Sequence, residues 1–202
     1  MSKPEITDPA IVRNKLVMLA ERAPLSVAAV DIDEFESINT LYGRDTGDAA
    51  IEQVADAFAK AADSAYFART GGDEFLFASS GTTPEDLLLR LDGVRRGLDV
   101  RRNVGDAEIP LPVSIGIASY PHHTDEPEEL VEAAGAAMQK AKLEGRNRVA
   151  IFVEDRMVLK SNYYPREQLF RLASLAHATG RTEASLLRDA LKTLLERHRE
   201  LT

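Results

Sequence analysis

At 202 residues and 44% hydrophobic content, the chain is long enough for one full domain with a real core and a small module beside it. Zero cysteines exclude disulfides, thiolate zinc sites and cysteine nucleophiles, and no apolar run approaches the ~20 residues of a membrane span, so a soluble, cytoplasmic protein without a membrane partner is expected. The net charge of −8 is uneven: residues 156–202 carry nine Lys/Arg against five Asp/Glu, net +4, and residues 1–155 carry −12, which makes the tail the candidate for a polyanion.

Residues 9–22 form the first predicted helix, with Ile11, Leu16, Met18 and Leu19 as its apolar set. Leu25–Ile32 is too continuously apolar for a half-exposed strand and reads as a buried central one. A long helix is predicted from Asp48, with Ile51, Val54, Ala55, Phe58 and Ala61 at helical spacing. Two apolar runs, Ala65–Ala68 and Phe75–Ala78, flank Arg69-Thr70-Gly71-Gly72-Asp73-Glu74. That pattern predicts a hairpin whose Gly-Gly turn uses the positive φ open to glycine. A helix is predicted over Pro84 to about Leu98, a strand over Pro112–Tyr120, a helix over Glu128–Glu144 capped by Gly145, and a strand over Val149–Val153. Interleaved strands and helices predict an α/β domain over residues 1–155, a mixed sheet covered by helices.

A hairpin does not need two carboxylates at its tip. Asp73 and Glu74 set hard oxygen ligands beside a bare Gly71-Gly72 backbone, where a phosphate or a flat base can approach closely. Asp31-Ile32-Asp33 ends the buried strand, where open α/β sheets place their ligands. Asp31 with Asp73 can hold one or two Mg²⁺ ions, although two acids after a strand are also an ordinary helix cap. Asn39 and Asp48 flank Gly43 and Gly47. A carboxylate and an amide together can read guanine, and Asp48 can equally cap the helix that follows. Lys142 and Arg146 lie four apart around Gly145, within reach of nucleotide phosphates or simply complementing a helix C-terminus.

These fragments occur in a fixed order: Asp31-x-Asp33-x-Phe35-x-x-Ile38-Asn39, Gly43-x-x-x-Gly47-Asp48, Arg69-x-Gly71-Gly72-Asp73-Glu74-Phe75, Ser114-Ile115-Gly116-Ile117-Ala118 and Ala141-Lys142-x-x-Gly145-Arg146-Asn147. Together they resemble the GGDEF family of diguanylate cyclases over roughly residues 8–153. The resemblance implies a nucleotidyl-cyclase-like fold and two GTP molecules on facing domains, condensed to cyclic di-GMP with loss of two pyrophosphates. It implies Mg²⁺ or Mn²⁺ held by Asp31, Asp73 and the Ile32 carbonyl, and Glu74 as the acid that activates the 3′-hydroxyl. Asn39 and Asp48 match the guanine-reading pair, Gly71 and Gly72 the substrate turn, and Lys142 and Arg146 the phosphate contacts. The chain departs from the family pattern at Glu36, Thr40, Arg44, Gly135 and Gln139, and its opening signature survives only as Asp8–Asn14. Ala62 and Ala65 replace the Arg and Asp of the family's inhibitory product site, so that feedback site is expected to be absent.

Residues 156–202 carry a second pattern: a predicted strand over Met157–Tyr164, a helix opened by Pro165 and running through Ala178, and a helix from Glu183 to about His198. The series Leu175-Ala176-x-x-x-Gly180-Arg181-Thr182-x-x-x-Leu186-Leu187-Arg188-x-Ala190-Leu191 resembles a ribbon-helix-helix module. That resemblance implies a homodimer whose paired strands enter the major groove of double-stranded DNA. Lys160 and Asn162 are the expected base-facing residues, or Ser161 and Tyr163 if the register slips by one. Arg181 and Thr182 are placed to meet a phosphate at the start of the second helix. His122, His123 and His177 have no ligand-like company and read as surface or packing residues. The whole sequence thus reads as a diguanylate cyclase fused to a dimeric DNA-binding module, a nucleotide-coupled transcription regulator. The alternatives are a catalytically weak GTP sensor on a DNA-binding regulator, or a cyclase whose tail only dimerises.

Overall fold

The computed structural model describes residues 4–63, 65–153, 163–179 and 181–197. The chain divides into two units, Met1–Met157 and Val158–Thr202.

Helix α1 (Pro9–Ala20) starts where the Asp8 carboxylate accepts from the Ala10 N–H at 2.7 Å and Pro9 presets the first turn. Strand β1 (Leu25–Ile32) is buried along nearly its whole length, as its unbroken apolar run predicts. A helix absent from the sequence reading follows it: α2 (Phe35–Tyr42), entered through Glu34 at φ 56° and closed by Gly43 at φ 87°. Helix α3 (Arg44–Ala62) begins at once. Asp48 therefore lies inside α3 and does not cap it. Thr46 and Gly47, both buried in the first turn, hid this start, because neither reads as an apolar helix position. The Thr46 hydroxyl bonds back to the Tyr42 carbonyl at 3.0 Å and tightens the join.

The predicted hairpin forms from β2 (Tyr66–Arg69) and β3 (Glu74–Ser80). Helix α4 (Pro84–Leu98) is capped by the Thr83 hydroxyl, which accepts from Asp86 N–H at 3.1 Å. A small hairpin, β4 (Arg102–Val104) with β5 (Ala107–Ile109), was not expected; three-residue strands are too short to show a period. Strand β6 (Val113–Tyr120), a 3₁₀ turn (Pro127–Glu129), helix α5 (Leu130–Leu143) and strand β7 (Val149–Ile151) complete the unit.

The main sheet runs β2-β3-β1-β6-β7, antiparallel except between β6 and β7. Alternate residues feed two cores. Val30, Ile32, Phe75, Phe77, Ile115 and Ile117 join one cluster with Ile51, Val54 and Phe58 of α3 and Leu87 and Leu91 of α4. Val27, Leu76, Ala78 and Ala118 join the other with Val12 and Leu16 of α1 and Ala133 and Ala134 of α5. Gly116 lets α5 lie directly on β6, since a Cβ there would meet Met138 N at 2.0 Å and Ala134 O at 2.2 Å.

The second unit holds α6 (Arg166–Thr179) and α7 (Glu183–Arg197). The strand expected over 157–164 falls outside the described residues except for Tyr163 and Tyr164, which belong to no strand. Among the described residues no helix is long and apolar enough to cross a membrane.

Candidate active site at the glycine hairpin

The register of the sheet builds the site. Asp31, the penultimate residue of β1, stands opposite Glu74 on β3, and the Ile32 N–H donates to the Asp73 carbonyl at 3.3 Å. The strand end and the hairpin tip are thereby one acidic cluster. Burial, first of all, pushes the Asp31 carboxyl up to about 6; Lys142 beside it opposes that shift, and the charges of Asp73 and Glu74 add to it. Lys142 Nζ lies 2.7 Å from Asp31 Oδ2. The lysine expected at the phosphates is thus paired with an expected metal ligand, at the same place in the fold.

The turn corrects one detail of the sequence reading. Neither Gly71 nor Gly72 has a positive φ, so the glycines serve space and not handedness. Thr70 and Gly71 N–H both donate to the Glu74 carbonyl, at 2.9 and 3.2 Å. A Cβ on Gly71 would lie 2.8 Å from Glu74 Oε2, so the glutamate folds back over this glycine. A Cβ on Gly72 would meet nothing within 4 Å, which leaves its face open to a ligand. Arg69, a motif letter to which the sequence reading gave no role, is buried and donates to the carbonyls of Gly72 and Pro4. It ties the turn to the N-terminal segment, which also bonds through Thr7 N–H to the Arg69 carbonyl at 2.8 Å.

Asn39 on α2 lies against the start of α3, next to Asp48 in the chain. A Cβ on Gly47 would sit 2.0 Å from Asn39 Oδ1, so the Asn39 amide lies against the residue before Asp48. Asp33 is a second residue that sequence reasoning placed but did not use. It caps no helix; it is buried and accepts from the Ser114 hydroxyl at 2.7 Å and from the Asn147 N–H at 2.8 Å. That fixes the loop after α5, where Gly145, Arg146 and Asn147 all have positive φ (116°, 62° and 45°). Arg146 is exposed there.

The groups that could hold a hard cation here are the expected ones, Asp31, Asp73 and the Ile32 carbonyl. Among the described residues no three His, Cys, Asp or Glu side chains group as a metal cage. Two coupled carboxylates and a carbonyl fit Mg²⁺ or Mn²⁺, which take few protein carboxylates and complete their shell with phosphates and water.

In the tail, Lys160 and Asn162 lie outside the described residues. Arg181 is committed within its own unit, donating to Ser185 Oγ at 2.6 Å and Asp189 Oδ2 at 2.5 Å. The Thr182 hydroxyl accepts from Ser185 N–H at 3.1 Å and caps α7. One amide at that helix start is thereby already taken. The two helices leave Leu169, Phe170, Leu175, Leu191 and Leu194 exposed.

The family described as "Diguanylate cyclase, GGDEF domain" matches residues 12–148. Diguanylate cyclase DosC of Escherichia coli K12 is 34% identical over 132 residues, 64% of this chain and 28% of DosC. Diguanylate cyclase A of Treponema denticola is 32% identical over 135 residues, 65% of this chain and 36% of that protein. The chain therefore spans about a third of the length of these relatives. The solved GGDEF domain of YfiN (TpbB) from Pseudomonas aeruginosa superposes with a TM-score of 0.70 at 27% identity, covering 76% of this chain and 94% of that one. With the motifs in their expected order and the acids of two strands gathered at one hairpin, the chain belongs to the diguanylate cyclase GGDEF-domain family.

Proposed function

We propose that the chain is a diguanylate cyclase that joins two GTP molecules into cyclic di-GMP. The observation that carries this reading is the meeting of Asp31 with the Asp73-Glu74 turn, with Lys142 at 2.7 Å. Each 3′-hydroxyl attacks the α-phosphorus of the opposing GTP. A new P–O bond forms, the bond to the β-phosphate oxygen breaks, and pyrophosphate leaves, twice per product. Glu74 takes the hydroxyl proton, which its fold over Gly71 suits by placing the carboxylate at the tip. Asn39 and Asp48 read the guanine edge, and Lys142 and Arg146 neutralise the β- and γ-phosphates. Asp31, Asp73 and the Ile32 carbonyl would hold Mg²⁺ or Mn²⁺, which when bound offsets charge on the phosphates.

Since one domain holds one GTP, two chains must face each other. The exposed leucines and Phe170 of the tail helices supply an apolar surface for a homodimer. The tail also binds double-stranded DNA in this reading, through Lys160 and Asn162, in a cytoplasmic protein that couples nucleotide to transcription. A second reading, in which the tail only dimerises, is favoured by the commitment of Arg181 to Ser185 and Asp189. Incubation with GTP and Mg²⁺, followed by chromatography, tests catalysis: cyclic di-GMP with two pyrophosphates each supports it, and neither product removes it. A salt-dependent mobility shift of DNA, weakened in Lys160→Ala, separates the two readings of the tail.

A further inference from the structure

We propose that Asn147 and Arg95 are positioning residues that fix Arg146, and through it the β- and γ-phosphates of the nucleotide, against the end of β1. This rests on the reading of Arg146 as a phosphate contact. The first observation is conformational. Ending α5 needs a single left-handed residue, and Gly145 supplies it at φ 116°. Arg146 and Asn147 nevertheless continue at φ 62° and 45°, where residues with a Cβ persist only if their surroundings hold them.

The second observation is what holds them. Asn147 uses all four of its polar groups. Its N–H donates to Asp33 Oδ2 at 2.8 Å. Its carbonyl and Oδ1 accept from Arg95 Nη1 at 3.1 and 2.8 Å. Its Nδ2 donates to Asp99 Oδ2 at 2.8 Å. The Arg95 side chain is 13% exposed and is braced by Asp92 Oδ1 at 2.8 Å, so it is a packed clamp and not a surface ion pair. The loop is therefore gripped by Asp33, the residue just after β1, and from α4 by Arg95. Arg146 lies inside that grip, its own N–H bonded to the Ala141 carbonyl at 3.0 Å, its side chain turned to solvent.

A helix cap alone would not need α4. A loop that must present one cation at a fixed place does, because small displacements of a charge clamp are expensive in phosphoryl transfer.

The test measures the affinity of the full chain, with Mg²⁺, for a non-hydrolysable GTP analogue and for GMP, which lacks the phosphates concerned. Arg95→Met and Asn147→Gly should each lower the ratio of the two affinities by about tenfold, a change of ~1.4 kcal/mol. Asn147→Gly tolerates the backbone while cutting the side-chain ties, so it carries the test if Arg95→Met does not fold. Arg146→Ala should lower the same ratio, and adding Arg95→Met to it should lower it no further. If Arg146→Ala leaves the ratio unchanged, the phosphate reading of Arg146 fails and the inference falls with it. If Arg146→Ala lowers the ratio but Arg95→Met and Asn147→Gly do not, the positioning role alone is overturned. Equal weakening of both ligands overturns it too, since that is what loosened structure would give.

Discussion

Glu74 is the residue whose chemistry is most exposed to test, since its carboxylate lies over Gly71 and not in a core. Glu74→Gln should lower turnover by about 10²–10⁴-fold, the range for a lost general base, while affinity for a GTP analogue holds. Turnover by chromatography and binding by calorimetry separate the two effects. Gly47→Ala gives a different signature. In the first turn of α3 alanine is favoured by up to about 1 kcal/mol, yet its Cβ would fall 2.0 Å from Asn39 Oδ1. The variant should keep its melting temperature and lose affinity for GTP; unchanged affinity would detach Asn39 from guanine. His123 carries a pH effect. Burial first, then the neighbouring His122 charge, lowers its pKa to about 4 against the opposing pull of Glu85. Its ring accepts from Ser119 N–H at 2.9 Å through Nδ1. The unfolded chain takes up the proton first, so this stability is complete above pH ~6.5 and is lost as pH falls toward 4. Melting curves across that window should flatten in His123→Asn, whose amide oxygen can still accept.

At the scale of elements, the backbone of α5 lies directly against β6 at Gly116. Gly116→Ala would press a methyl into three backbone atoms that cannot turn aside, and should destabilise by about 3 kcal/mol or more. Ile117→Val on the same strand should lose only about 1 kcal/mol; equal losses, measured by denaturant melts, would refute the close approach. The same strand shows what the sequence made legible. Long apolar periods such as Leu25–Ile32 and Val113–Tyr120 state their burial outright, and the Gly-Gly pair marks the hairpin. Helix α2 escaped notice because Ile38 is its only buried side chain. The true start of α3 was hidden by Thr46 and Gly47, which are buried for close packing and not for hydrophobicity. Of the site, the residues expected to meet metal, guanine and phosphate were legible as motif letters. Arg69 and Asp33 stood among the motif letters without a role, and Arg95 stood outside them, because much of what they hold is loop backbone, and such partners leave no period in a sequence.

At the scale of the molecule, the proposed reaction needs a second copy of the chain, and the surface proposed for that meeting is the set of apolar side chains that α6 and α7 leave exposed. Removal of residues 156–202 should turn a dimer into a monomer in sedimentation velocity. It should also make the specific activity rise with protein concentration; a dimer that survives truncation would place the interface elsewhere. The proposed activity rests on one arrangement, in which Asp31 near the end of β1 and Asp73 in the turn before β3 would share a metal ion with a guanine nucleotide. Calorimetry of a non-hydrolysable GTP analogue, with Mn²⁺ and with EDTA, on the native chain, Asp31→Asn and Asp73→Asn, tests it most directly. Tight binding should require Mn²⁺ and should be lost alike in both variants. Equal affinity with and without the metal, or full metal-dependent binding in either variant, would contradict it.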